Sequence, residues 1–175
     1  MADIDDYLQS VKKQFAYYRS LGEKTFAQVN DDALFWCYND ESNSIAIIVK
    51  HLWGNMLSRW TDFLTSDGEK EWRQRDAEFE NDINSREELL SKWNEGWDSL
   101  FAALDTVNNV NWQQDVFIRN ERHSIMDAIE RQVAHYAYHV GQIVFIGKMI
   151  SGDQWRSLTI PKGKTGEFNK GMMKK

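Results

Sequence analysis

One proline, Pro161, stands in a chain of 175 residues, and it lies near the C-terminal end. Proline interrupts a helix more firmly than any other residue, because it lacks the amide proton and its ring collides with the preceding turn. A chain without it up to position 161 can carry long helices, and apolar residues recur at helical steps along much of that length. In the first such stretch Tyr7, Val11, Phe15, Tyr18, Gly22, Thr25 and Val29 follow at steps of four or three, and Asn30-Asp-Asp reads as an end and turn. A second helix is predicted over 44–65, with Ile45, Val49, Leu52, Met56, Trp60 and Phe63 as its seam and Asp67-Gly68 as its stop. A third begins at Ser85, where Ser85-Arg-Glu-Glu88 has the capping-box pattern, and continues through Leu89, Trp93, Trp97, Leu100 and Leu104. The fourth is predicted over about 124–150.

The connections differ in character. Residues 69–80 are densely charged with no clear period and read as an ordered loop anchored by Trp72 and Phe79. Residues 116–124 fit a short hairpin with Asn120-Glu121 at its turn. The Gly- and Lys-rich tail, 151–175, carries Trp155, Leu158 and Ile160, which predict that its first half docks on the body. With no internal repeat or linker, 1–175 reads as a single all-α domain. Its expected form is a four-helix bundle with a crossover-sized connection between the third and fourth helices and a docked C-terminal tail.

Composition narrows the function. A net charge of -6 argues against a nucleic-acid partner. Cys37 is the only cysteine, so no intrachain disulfide is expected, and it reads as a small buried hydrophobe rather than a nucleophile. The N-terminus, Met1-Ala-Asp-Ile-Asp-Asp, lacks the basic and apolar regions of a signal peptide, and the longest apolar run, Ile45-Ala-Ile-Ile-Val49, is too short to span a bilayer. The expectation is a cytoplasmic protein with no membrane partner. The 8 Trp imply a thick aromatic core, an aromatic-lined pocket, or both.

The fourth helix breaks its own apolar rule. Ile125, Ala128, Gln132, His135, His139, Gln142 and Ile146 fall on one stripe, and the middle four are polar. His135 and His139 are i and i+4, so both imidazoles leave the same face about one turn apart. Two ring nitrogens at that spacing can reach one ion at the ~2.0–2.1 Å of a Zn–N bond. A third ligand has to come from elsewhere, and His51 on the second helix heads a polar line through Asn55, Arg59 and Asp62. Other chemistries lack their residues: there is no Glu-x-x-His pair of a di-iron bundle, no His-Glu-x-x-His and no glycine-rich phosphate loop. His123 reads as a surface or turn residue. Spacing alone leaves two readings open, hydrogen-bonded core histidines or a metal site.

The order of His51 and then His135-x-x-x-His139 resembles the DinB/YfiT-like metalloprotein superfamily, and most closely a branch of small proteins without assigned function. Lys50-His-Leu-Trp-Gly-Asn-Met56, Asp67-Gly-Glu-Lys70, His135-Tyr-Ala-Tyr-His-Val-Gly-Gln142 and Ser157-Leu-Thr-Ile-Pro-Lys-Gly-Lys164 carry the likeness. The resemblance implies a bundle in which His51, His135 and His139 bind Zn, Ni or a similar divalent ion, and a homodimer. It also implies a thiol-dependent transferase or isomerase using a low-molecular-weight thiol such as bacillithiol or mycothiol. Asn55, Arg59 and Gln142 are the expected supporting groups around the ligands or the substrate, although Arg59 can equally pair with Asp62. Arg73, Arg75, Lys162 and Lys164 are weaker candidates for binding a carboxylate or phosphate. Two functions follow: a metal-dependent thiol S-transferase acting on small electrophiles in an aromatic-lined cleft, or a non-catalytic metal-containing ligand-binding protein. No general base near the histidines can be named from the sequence.

Overall fold

The computed structural model describes residues 4–173; residues 1–3 of the acidic N-terminus and 174–175 of the tail lie outside them. Among the described residues the chain is mainly helical: α1 (Ile4–Phe26), α2 (Asp31–Phe35), α3 (Ile45–Trp60), α4 (Arg86–Asp105), α5 (Ile125–Ser151) and α6 (Thr165–Met172), with one hairpin, β1 (Asp115–Ile118) and β2 (Glu121–Ser124). Four of these helices are long. α3 packs on α4 and α5, and α1 packs on the same two helices, so α1 lies across the core from α3. No helix is long and apolar enough to cross a membrane among the described residues.

The helices begin where side-chain caps meet their free amides. Asn30, Ser44, Ser85 and Ser124 each accept a hydrogen bond from the backbone three residues on, at the starts of α2, α3, α4 and α5. Asn30 therefore opens a short helix as well as following α1. The second helix ends at Trp60 rather than at residue 65, because Asp62 takes φ 50°, outside the helical region. Phe63 still reaches the core from the turn.

Phe15, fully buried, sits at the centre, with the rings of Trp60, Trp97 and Tyr136 at 6.4, 6.3 and 5.8 Å. Trp93 joins them from α4, so three of the eight tryptophans are core. α1 and α4 approach closely enough that a Cβ on Gly22 would stand 2.4 Å from the Trp93 ring. Trp72 is exposed, and Cys37 is half-exposed in the α2–α3 connection rather than buried.

The hairpin forms at the place expected, with its turn one residue earlier. Arg119 and Asn120 both have positive φ, 56° and 62°, as a two-residue primed turn requires. Asp67 holds this turn: its carboxylate accepts from the amides of Arg119 and Asn120 at 2.8 Å and of Glu69 at 2.7 Å. His123 lies on β2 opposite Val116, not in a turn. Beyond α5, Arg156 exchanges two hydrogen bonds with Gln28 and Trp155 packs beside Gly147, while Ile160 is exposed; the docked part of the tail is thus short.

Candidate metal centre

α3 is buried almost all round; only Trp53 and Leu57 fall outside its buried set. A helix so enclosed has to satisfy every polar side chain it carries. His51, Asn55 and Arg59 recur at every fourth position and leave one face, towards α5. α5 returns Gln132, His135, His139 and Gln142 from its own stripe.

The donor nitrogens of His51, His135 and His139 all lie within 4.8 Å of one another. The Nε2 atoms of His51 and His135 are 3.3 Å apart, close to the ~3.3 Å that separates two ligands of a tetrahedral ion at ordinary Zn–N bond lengths. The far side of two rings is tied back. His51 Nδ1–H donates to Glu78 Oε2 at 2.9 Å, and His139 Nδ1–H donates to Gln142 Oε1 at 2.9 Å. A carboxylate can only accept, so His51 carries a hydrogen on Nδ1 and turns its Nε2 to the centre. This is how a metal-binding imidazole is normally oriented.

Burial, helped by the charges of His139 and His51, lowers the pKa of His135 to about 3. Burial, then His51, lowers that of His139 to about 4. Both rings are therefore neutral near pH 7, the form that ligates. The donor set fits a divalent ion: three convergent imidazoles, two of them neutral by environment and two with an oxygen behind the ring.

Glu78 was not among the expected residues. It is 5% exposed and comes from the short turn of 3-10 helix Asp76–Phe79, inside the charged segment. Burial alone would raise its pKa, but the bonds from His51 and Arg73 outweigh burial and hold the carboxyl below its ordinary value. Arg73 Nε donates to Glu78 Oε1 at 2.7 Å. Gly54, one turn beyond Lys50 on α3, makes room for this: a Cβ there would stand 2.4 Å from Glu78 Oε1. So the charged segment is anchored by Glu78, with Phe79 stacked on the His51 ring at 5.0 Å and Trp72 left in solvent. Nothing in the local sequence marks Glu78 apart from Glu69, Glu71 or Glu80; only the need of His51 for an acceptor points to some carboxylate.

The supporting residues divide. Gln142 holds His139 directly. Asn55 Oδ1 accepts from Tyr136 Oη at 3.1 Å, and that oxygen accepts from Trp60 Nε1 at 2.9 Å, so Asn55 reaches the site through a buried tyrosine. Tyr136 is thus a polar link as well as a core ring, whereas Tyr138 is exposed. Arg59 donates to the Gly68 carbonyl and lies 3.4 Å from Glu69 Oε2; its partner is not Asp62. Arg73 is spent on Glu78. Lys164 pairs with Glu167, and neither it nor Lys162 lines the site.

A cleft of about 330 Å³ opens over the three histidines. Its wall includes Arg59, Arg73, Arg75, Arg119 and Arg131, with Phe79 as its one carbocyclic aromatic ring. The expected aromatic lining is therefore absent here: Trp60, Trp93 and Trp97 lie in the core, and no other tryptophan reaches this wall. A separate apolar groove of about 680 Å³ runs along the outer face of α5 between Tyr138, Phe145, Met149 and Trp36. It contains none of the three histidines but shares Gln142.

No curated protein and no solved structure matches the chain. A family model described as a protein of unknown function (DUF1572) matches residues 3–164, and over nearly its whole length the chain belongs to that family.

Proposed function

We propose that this chain is a DinB/YfiT-like four-helix bundle in which His51, His135 and His139 hold one divalent ion, Zn or Ni. The observation that carries the reading is the convergence of three imidazole donors within 4.8 Å of one another, with Glu78 and Gln142 behind two of them. Three protein ligands leave a tetrahedral ion one position for water or substrate, as in catalytic rather than structural sites.

The reaction proposed is attack of the sulfur of a low-molecular-weight thiol on a small electrophile, the thiol S-transferase reaction: a C–S bond forms, the thiol proton passes to solvent, and the leaving group departs from the electrophilic carbon. A metal ion bound here would supply stabilisation of the thiolate, the nucleophilic form. The chain's own part is to fix the ligands, keep His135 and His139 unprotonated, and shape an approach between the arginine-walled cleft and the apolar groove beyond Gln142. Zinc-loaded protein should conjugate a biological thiol to monochlorobimane, and His135→Ala should abolish the reaction with the fold intact by circular dichroism. Inertness towards every biological thiol tried would sink the transferase reading.

One observation favours a second reading, a non-catalytic metal-containing ligand-binding protein. Glu78 is locked between His51 and Arg73, and Glu69 between Arg59, Arg73 and Arg119, so neither stands ready as a general base. In that case metal removal abolishes ligand binding with no turnover to lose. A homodimer belongs to the same proposal. Leu8, Phe15 and Trp93 cannot form it, being buried in the protomer, whereas Tyr138, Phe145 and Met149 on α5 are exposed. Light scattering at micromolar concentration tests it, and a monomer mass contradicts it.

A further inference from the structure

The chain carries a net charge of -6, yet the cleft over the histidines is walled by five arginines and by no carboxylate. Two glutamates stand behind that wall. Glu78 is taken by Arg73 at 2.7 Å and by His51 at 2.9 Å. Glu69 is shared among Arg59, Arg73 and Arg119 at 3.4, 3.6 and 3.0 Å. Five guanidiniums against two carboxylates leave an excess of positive charge, and a divalent ion would add to it. The guanidiniums of Arg75 and Arg131 have neither an ion pair nor a hydrogen-bond partner among the described residues.

These two arginines come from different elements. Arg131 lies one turn before His135 on α5, so i, i+4 spacing places both on one face. Arg75 immediately precedes the 3-10 turn that carries Glu78. Deeper in the cleft, Gln132 Oε1 and Arg59 Nε are buried without a hydrogen-bond partner, and Gln132 as a whole is only 3% exposed. Buried polar atoms of this kind are rare in native proteins and call for a partner. Guanidinium groups recognise carboxylate and phosphate oxygens through paired N–H donors.

We propose that the small molecule taken at the histidine site is an oxyanion: one end reaches the metal position, and a carboxylate or phosphate group is held by Arg75 and Arg131. Arg59 Nε supplies a further donor to that oxyanion, and Gln132 Oε1 accepts from an N–H or O–H elsewhere on the molecule. This rests on the metal-and-thiol reading for the atom at the metal position, but its positive wall stands independently of which atom binds there. A cationic cleft in an acidic protein favours anionic ligands over neutral analogues through its local field.

The test uses the cobalt-loaded full chain and follows the thiolate-to-cobalt absorption band during titration with two thiols. Mercaptosuccinate carries carboxylates and 2-mercaptoethanol carries none. The expected result is binding of mercaptosuccinate at least tenfold tighter, with the advantage shrinking as salt is added. The Arg75→Gln/Arg131→Gln double variant, at two exposed positions, should lose most of that advantage while keeping its cobalt content and its affinity for 2-mercaptoethanol. Equal affinity for the two thiols, or an advantage that survives the double variant, overturns the proposal. Inorganic phosphate and succinate are then titrated by calorimetry to separate the two readings. If neither thiol produces the band but one of these anions binds in an arginine-dependent way, the anion site stands and the thiol chemistry fails.

Discussion

His51 is held at Nδ1 by the carboxylate of Glu78, which lies 27 positions further along the chain. Glu78→Gln keeps an oxygen facing His51 Nδ1 but removes the charge that raises the basicity of the ring. By analogy with other ligand-orienting carboxylates, the expected effect is a loss of metal affinity of roughly 10–100-fold, read by chelator competition. An unchanged affinity would mean that Glu78 serves only Arg73. The histidines also set a pH dependence. The folded-state values of about 3 for His135 and about 4 for His139 lie below the ordinary value for an unfolded chain, ~6.5. As the pH falls below ~6.5 the unfolded chain takes up protons that the folded chain refuses. Their contribution is fully present above that pH and drains as the pH falls towards the folded values. Urea midpoints of metal-free protein should drop between pH 6.5 and 4, and His135→Ala/His139→Ala should flatten that segment of the curve.

At the scale of elements, α5 was legible because its polar residues fall on a single regular stripe. His51 was legible because α3 repeats the same spacing. The charged segment was not, since a short turn inside an aperiodic stretch leaves no local trace of which glutamate folds inward. The hairpin turn moved by one residue because the choice of Arg119 and Asn120 for positive φ is made together with Asp67, which caps both amides from a distance. Two substitutions test these joints. Gly54→Ala touches no candidate ligand, yet its Cβ would collide with the Glu78 carboxylate. It should destabilise the protein by about 1–3 kcal/mol through overpacking and weaken metal binding along with Glu78→Gln. Asp67→Ala leaves three amides without their acceptor and should cost about 2 kcal/mol at neutral pH, as loss of hydrogen bonds to a charged group does. Burial alone would raise the Asp67 pKa, but the amides of Asn120, Glu69 and Arg119 outweigh it and depress it. Its contribution is therefore present above the ordinary carboxyl range and is lost as the pH falls through that range, so wild type and variant should converge in acid.

For the molecule as a whole, an ion bound by His51 and by the α5 pair would join α3 to α5, which are 84 positions apart between His51 and His135. Ligand binding to the folded state alone adds ~4 kcal/mol at a thousandfold excess over Kd. For a chain of this size that corresponds to a rise in Tm on the order of 10 °C. The central claim is the three-histidine metal site, and elemental analysis of purified protein tests it most directly. About one divalent ion per chain is expected in the wild type and none in His51→Ala/His135→Ala/His139→Ala, with helical circular dichroism retained in the variant. A metal content that the triple substitution leaves unchanged, or a wild type that takes up no zinc, nickel or cobalt when loaded, would contradict it.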